Sequence, residues 1–321
     1  MERYRSARGA ILAVAALLLF IASTVVDETL PTNQEEGSGI TTRQIEMNPV
    51  RERTIRKTAT TQVEMRRNGW DDDTISLWLP EGVHSDFGVS LWNNGDSLQS
   101  KQRFETVANG VAWSYDDERC RINCTALSVG NVVNVTCSVL NKTNSTMPNV
   151  YVQNCLHFPK ATHFSGTAGE HVFFRKQNKW VTMKSTQNWF DRSFRLADTT
   201  KFCFRQETLQ GGRYPVIKKR RNVDPERSDH PMIIIESKER KRVVAFVGRD
   251  WDFVFHNTNP HLGCIHSQPL PVSLKSSQRV DFKQRIYFVN GDRNDLLREH
   301  GKDALVFGAS ENMVISIPDR K

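Results

Sequence analysis

The sequence lacks the motifs of several large enzyme classes. It contains no Gly-x-Ser-x-Gly elbow and no glycine-rich phosphate loop. These absences argue against serine-hydrolase and nucleotide-phosphate sites. Paired carboxylates for glycoside hydrolysis are not marked by any spacing either. The available acidic candidates are Asp191, Glu236, Asp250 and Asp252.

Helical patterns are also scarce. The one persuasive helix is Asp292–His300, which has an acidic start, a Leu296–Leu297 pair and Gly301 as a stop. Short β-branched or aromatic runs bounded by turn residues dominate instead. These runs are Thr74–Leu79, Gly88–Trp92, Gly110–Tyr115, Met232–Glu236, Val243–Val247, Asp252–Phe255, Arg285–Val289 and Met313–Ile317. The sequence therefore predicts an all-β fold, a large antiparallel β-sandwich with one short late helix.

The amino terminus indicates export. Three arginines precede an uncharged run from Ala10 to Val26, which is the layout of a basic region followed by an apolar region. The run has the minimum length of a membrane span, and no clean cleavage site or cysteine follows it. We therefore predict that residues 1–26 are a signal peptide or an uncleaved signal anchor. Either would place the remainder in the periplasm, outside the cell, or on the outer side of the membrane to which residues 10–26 anchor it.

Residues 27–67 are polar and poor in aromatic side chains, which predicts a largely disordered lead. Residues 68–321 then form a single β-sandwich domain. The formal net charge is +8, yet the basic residues are dispersed apart from Lys218–Arg221, in a loop-like stretch. We expect no nucleic-acid partner and no cofactor.

One hairpin can be placed by counting. Gly130-Asn131 is a two-residue turn signal between two alternating runs, and pairing across it puts Cys124 opposite Cys137. Direct cross-strand partners lie within disulfide distance, and an oxidising compartment favours the bond. The alternative is a pair of free core cysteines. The same region carries Asn-x-Ser/Thr sequons at Asn123, Asn134, Asn141 and Asn144.

The strand predicted over Asn149–Phe158 separates into two faces. Val150, Val152, Leu156 and Phe158 share one face, and Tyr151, Gln153, Cys155 and His157 share the other. The second face is too polar for a core and too aromatic for ordinary exposure. Aromatic rings beside hydrogen-bonding side chains suit sugars, which present apolar faces and hydroxyl edges. The alternative is a strand face without a binding role.

The other candidate site residues lie mainly in two Cys-x-His triplets, Cys155–His157 and Cys264–His266. In an extended strand, residues i and i+2 point to the same side, so each triplet presents a thiol beside an imidazole. If the two strands meet, the result is a disulfide framed by histidines, a polar ligand pocket or a Cys2His2 zinc site. Thiols of exported proteins pair more often than they bind metal, so no metal is predicted.

A resemblance to a known group rests on the stretch Ile233–Arg298. It contains a buried strand, the Lys241–Ala245 strand, a tryptophan strand, the Asn-Pro-His-Leu-Gly-Cys-Ile-His-Ser run and a strand leading into the Leu-Leu helix. This order resembles uncharacterised exported β-sandwich proteins of planctomycete-like bacteria, which are similar to the galactose-mutarotase-like supersandwich. The resemblance implies a supersandwich-like fold and a carbohydrate-linked role. It assigns no catalytic residues, because no catalytic motif of that group matches this sequence residue by residue.

The sequence therefore predicts an exported protein that contacts carbohydrate or polysaccharide, most simply as a glycan-binding or envelope-associated module. One alternative is a lyase, epimerase or hydrolase that uses His157 and His266, with Tyr151 as a further catalytic candidate. Another is a surface glycoprotein that binds a second protein. The predicted ligand-binding residues are Gln153, Trp251, His256 and His261.

Overall fold

The computed structural model describes residues 44–53, 59–85, 90–92, 101–164, 169–185, 200–205, 226–257 and 263–308. The predicted leader 1–26, Lys218–Arg221, His261 and the run Met313–Ile317 lie outside these residues. No helix among the described residues is long and apolar enough to cross a bilayer.

Nineteen strands make up most of the described chain. The first nine are β1 (Ile45–Arg53), β2 (Ala59–Arg67), β3 (Ile75–His84), β4 (Ser90–Trp92), β5 (Gln102–Val107), β6 (Gly110–Asp116), β7 (Cys120–Val129), β8 (Val132–Asn141) and β9 (Met147–His157). The others are β10 (Val172–Lys176), β11 (Lys179–Thr182), β12 (Thr200–Arg205), β13 (Glu226–Ser228), β14 (Met232–Glu236), β15 (Arg242–Gly248), β16 (Trp251–Asn257), β17 (Cys264–Pro269), β18 (Val272–Leu274) and β19 (Arg279–Asn290). A 3-10 turn spans Met183–Ser185, and helix α1 spans Arg293–Gly308.

The strands form two sheets that pack face to face. The first sheet has the order β1-β2-β3-β9-β17-β16-β12-β13, with β4 paired to β3 and β18 paired to β9. The second sheet has the order β11-β10-β14-β15-β19-β8-β7-β6-β5. Strand pairs are antiparallel except β12 with β13. Buried side chains of both sheets share one apolar core, so the fold is the predicted antiparallel β-sandwich.

The central strands of the second sheet are covered on both faces. In β14, Ile233 and Ile235 enter the core between the sheets, whereas Met232 and Ile234 join a second cluster with Leu296 of α1. A strand that is apolar on both faces is typical of a sheet buried between two layers. The helix therefore covers the outer side of this sheet.

Helix α1 begins where the sequence predicts and ends later. Asp292 Oδ1 accepts the backbone N–H of Asp295 at 3.1 Å, and Asp295 Oδ2 accepts the backbone N–H of Asp292 at 2.8 Å. This reciprocal pair is a capping box. The predicted stop at Gly301 is wrong, because this buried glycine packs inside the helix, which continues to Gly308.

The prediction of a disordered lead to residue 67 is wrong for its second half. Strands β1 and β2 pair along their whole length and join the first sheet through β3. Ile45 and Met47 of β1 and Val63 and Met65 of β2 are buried in the core and are separated by more exposed residues. This alternation provides the apolar area that offsets the entropy of ordering the segment. The folded unit therefore begins before residue 68.

The hairpin β7–β8 has the predicted register. Cys124 is the direct partner of Cys137, and Val129 pairs with Val132 across the Gly130-Asn131 turn. Gly130 has a φ of +60°, the conformation that a two-residue hairpin turn demands and that glycine adopts without strain. Sequence arithmetic is reliable here because turn length fixes the register of a hairpin.

Candidate functional site

The two Cys-x-His triplets lie on neighbouring antiparallel strands of the first sheet. Cys264 of β17 is the cross-strand partner of His157 of β9. The ligand atoms of Cys155, Cys264 and His266 lie within 4.8 Å of one another. All four predicted residues therefore converge on the side of the sheet that points away from the second sheet, which we call the site face.

Hydrogen bonds fix the centre of this cluster. Cys264 Sγ lies 3.1 Å from His266 Nε2 and accepts the side-chain N–H of Asn257 at 3.1 Å. His266 Nδ1 lies 3.0 Å from the carbonyl oxygen of Asn154, and a carbonyl only accepts, so Nδ1 carries a proton and Nε2 faces the sulfur. The ring of Phe255 stacks on that of His266 at 3.8 Å. The imidazole is therefore held in one orientation.

The electrostatics of the cluster favour a thiolate beside an imidazolium. Burial by itself would raise the pKa of Cys264, but the hydrogen bond from Cys155 and the charge of His266 hold it well below its usual value. Burial would lower the pKa of His266, and the Cys264 thiolate raises it instead. Burial and the neighbouring sulfur raise the pKa of Cys155, which remains a thiol. These shifts favour a charged pair of Cys264 and His266 beside a protonated Cys155.

Two pairs of rings form a rim beside this buried centre, in which Trp78, Tyr151 and His157 are partly exposed and His84 is buried. The rings of Trp78 and His157 lie 5.6 Å apart, and those of His84 and Tyr151 lie 4.9 Å apart. All four come from β3 and β9, which pair directly. Tyr151 and His157 are partly exposed, in keeping with the predicted polar face of β9.

Glu81 is a site residue that sequence reasoning missed. It lies in β3, where the register shifts between Trp78 and Gly82, and a bulge of this kind re-aims a side chain. Gln153 Nε2 donates to Glu81 Oε2 at 2.6 Å, and the same oxygen lies 3.7 Å from His266 Nδ1. Burial raises the pKa of Glu81, and the charge of His266 partly offsets this effect. No sequence signal marks the residue.

Gln268 is a second missed residue. It lies on the same face of β17 as Cys264 and His266, because it follows them at intervals of two. Its side chain is 3% exposed, and neither amide atom has a hydrogen-bond partner among the described residues. A buried amide of this kind is costly unless a ligand or water satisfies it. Extending the alternation of the Cys-x-His triplet by one step would have identified it.

Two predicted ligand-binding residues point to the opposite side of the sheet. His256 pairs with Ile265 in the core, and its Nδ1 donates to the carbonyl of Cys264 at 3.0 Å. Trp251 pairs with Pro269 and belongs to the core between the sheets. A register shift between Trp251 and Phe253 reverses the alternation of β16. Of the other two, Gln153 reaches the site face, and His261 lies outside the described residues.

The predicted disulfide partners Cys124 and Cys137 meet inside the core. Both are buried free thiols on adjacent strands, and burial, with the neighbouring sulfur of Cys137, raises the pKa of Cys124. Asn154 Nδ2 lies 3.7 Å from Cys137 Sγ and donates to Gln284 Oε1 at 2.6 Å. The register prediction is confirmed, and the covalent bond stays a prediction.

The sequon at Asn141 is incompatible with a glycan in this fold. Asn141 is fully buried, and its side-chain nitrogen donates to the carbonyls of Ser145, Leu274 and Lys275. These bonds hold the loop after β8 against the segment that precedes β19. The sequons at Asn123 and Asn144 are exposed.

Solved structures with a similar fold include proteins that carry sugar-related names. One is a galactose mutarotase related enzyme from Lactobacillus acidophilus, with 10% identity over 77% of this chain and 99% of that chain and a TM-score of 0.44. Another is a galactose mutarotase-like protein from Clostridium acetobutylicum, with 10% identity over 76% and 99% and a TM-score of 0.41. A third is an alpha-N-acetylgalactosaminidase from Bifidobacterium bifidum, with 10% identity over 75% and 35% and a TM-score of 0.42.

No protein-family model and no curated protein matches the sequence. The antiparallel β-sandwich and the site residues both rest on this chain's own geometry.

Proposed function

We propose that the protein binds carbohydrate on the site face. The observation that carries the proposal is the combination of a partly exposed aromatic rim with buried hydrogen-bonding groups. Tyr151 and Trp78 offer flat apolar surfaces, while Glu81, Gln153 and Gln268 offer donors and acceptors. A sugar ring needs both kinds of group, because its faces are apolar and its edge carries hydroxyls.

The first test replaces Tyr151 by alanine. We expect the variant to bind mono- or oligosaccharides about 10-fold more weakly, a loss of ~1.4 kcal/mol, because one ring face is removed from a partly desolvated contact. Titration calorimetry against a panel of neutral and acidic sugars measures the affinity.

Val129→Ala is the control for this test. Val129 is 65% exposed at the hairpin turn of the second sheet, away from the site face, so its replacement should leave the affinity unchanged. The proposal fails if no sugar binds the wild type, or if Tyr151→Ala binds as the wild type does.

A second candidate function is proton transfer on a bound sugar, as in an epimerase or lyase. It is favoured by the carboxyl of Glu81, whose pKa is raised by burial and which lies 3.7 Å from His266 Nδ1. General acid–base catalysts are commonly tuned in this way, toward neutral pH.

The catalytic candidate is tested with Glu81→Gln, which keeps the size of the side chain. If the protein is an enzyme, we expect turnover to fall by about 10² to 10⁴, the usual contribution of a general base. Nuclear magnetic resonance of a sugar shown to bind, followed over time, measures anomer exchange and bond cleavage together. If the wild type binds a sugar but shows no turnover, the non-catalytic binding function stands and the catalytic candidate is wrong.

We also propose that the protein is exported through residues 1–26, on the basis of the arginines and the apolar run that follows them. Amino-terminal sequencing of the protein recovered from cell fractions tests this. A shortened chain outside the cytoplasm indicates a cleaved signal peptide, and a full-length chain in the membrane fraction indicates an anchor. A full-length chain in the cytoplasmic fraction would contradict export.

A further inference from the structure

We propose that Cys155, Cys264 and His266 bind a zinc ion, with a fourth coordination position left for water or an incoming ligand. The inference does not depend on carbohydrate binding. The ligand atoms of these three residues lie within 4.8 Å of one another. Two sulfurs and one imidazole nitrogen are a donor set that suits Zn²⁺.

The distances are close to those of a metal-bound site. With bonds of about 2.3 Å to sulfur and about 2.0 Å to nitrogen, ligand atoms of a tetrahedral zinc lie roughly 3.3–3.8 Å apart. Cys264 Sγ and His266 Nε2 are 3.1 Å apart and all three ligand atoms lie within 4.8 Å of one another, so shifts of about 1 Å accommodate the ion. On binding Zn²⁺, both sulfurs are thiolates and His266 Nε2 is unprotonated, so any protons that these atoms carry in the metal-free protein are released.

The surroundings of the three residues are those that orient metal ligands. A metal-bound histidine nearly always donates its other ring N–H to a carbonyl or carboxylate. His266 Nδ1 lies 3.0 Å from the carbonyl of Asn154 and 3.7 Å from the carboxylate of Glu81. The side-chain N–H of Asn257 donates to Cys264 Sγ at 3.1 Å, as hydrogen-bond donors commonly do to metal thiolates.

The strand register favours an ion over a disulfide between the same two sulfurs. Cys264 is opposite His157, so Cys155 stands diagonally to Cys264 on the neighbouring strand. Diagonal neighbours have Cα atoms about 7–8 Å apart, whereas a disulfide requires less than about 7 Å. Cys124 and Cys137, by contrast, are direct partners. A metal, which places the sulfurs farther apart than a covalent bond does, fits the diagonal pair better.

The test uses the full-length protein, reduced and freed of metal by a chelator. We expect it to bind one Co²⁺ ion with the absorption bands of tetrahedral thiolate coordination, and Zn²⁺ to displace the cobalt. Cys264→Ser should lose these bands. Asn257→Ala keeps all three ligands and is expected to weaken binding about 10-fold through the lost hydrogen bond.

Cys124→Ser is the matched control, because it removes a buried thiol that lies outside the cluster and should keep the cobalt spectrum. Circular dichroism establishes that each variant is folded before the metal is added. His157→Ala should also keep the spectrum, since His157 is not among the three ligands.

Three results would overturn the zinc proposal. One is a wild-type protein without the cobalt bands, and another is a folded Cys264→Ser variant that retains them. The third is a Cys155–Cys264 disulfide that forms quantitatively in metal-free protein on exposure to air, detected by mass spectrometry as the loss of two hydrogens. Because sugar affinity is measured separately, failure of this proposal is distinguishable from failure of carbohydrate binding.

Discussion

Replacing Asp73 by asparagine is expected to destabilise the protein by about 3–5 kcal/mol, a large share of the roughly 5–15 kcal/mol typical of a folded domain. The carboxylate of Asp73 is fully buried. It accepts hydrogen bonds from Arg242 Nη1 and from the backbone N–H of His163 at 3.0 Å, and its Oδ2 lies 3.1 Å from the ring Nδ1 of His163. Neutralising it leaves the Arg242 guanidinium, largely buried near the Trp70 ring, without its counter-charge.

Asp73 also connects the strands that carry the site. It forms an isolated bridge with Ala161, just after β9, and precedes β3, while Arg242 begins β15 of the second sheet. Molecules in which this region unfolds locally should therefore also lose ligand affinity. Urea denaturation of Asp73→Asn measures the effect as a lower midpoint with an unchanged slope.

Asp116→Asn is the comparison for this prediction. Asp116 makes ion pairs with Lys142 and Arg121 at 2.6 and 2.8 Å, but its side chain is 46% exposed. Surface ion pairs contribute little because water solvates both partners and salt screens them. If Asp73→Asn and Asp116→Asn unfold at the same urea concentration, the buried carboxylate does not have the role we assign to it.

The sequence predicted which strands carry the site more reliably than which residues belong to it. The alternation in β9 correctly separated Val150 and Val152, which face the core, from Tyr151 and Gln153, which face the site. The Cys-x-His spacing predicted the convergence of two triplets. Both patterns depend on uninterrupted strands, in which side chains point to alternate faces without exception.

Irregular strands explain what the sequence could not predict. Glu81 reaches the site from a register shift in β3, and Trp251 leaves it through a register shift in β16. Extra residues in a strand change which face nearby side chains occupy, and no composition or spacing marks where they occur. The strands β1 and β2 were missed for a different reason. Charged residues such as Glu46, Glu64 and Arg66 alternate with the buried positions, which hides the apolar pattern.

His230 is expected to make the protein less stable at acidic pH. Burial, together with the nearby Arg175, lowers the pKa of His230 to about 4, although a hydrogen bond to the carbonyl of Leu305 in α1 partly opposes this shift. The ring Nε2 lies 3.1 Å from that carbonyl, and Nδ1 has no hydrogen-bond partner among the described residues. The folded protein thus holds the histidine neutral, whereas the unfolded chain protonates it near its usual pKa of about 6.5.

The sign of the pH effect follows from this difference. Above about pH 6.5 neither state binds the proton, and the folded state keeps its full stability. As the pH falls from about 6.5 toward 4, the unfolded chain takes up the proton first, so stability decreases by up to ~3 kcal/mol. Urea midpoints between about pH 7 and pH 4.5 should therefore fall more steeply in the wild type than in His230→Gln, whose amide does not titrate and can still donate to the Leu305 carbonyl. Subtracting the two curves removes the contributions of His84 and of the carboxylates, which both proteins share. If the two curves are parallel, burial of His230 does not make the packing of α1 depend on pH.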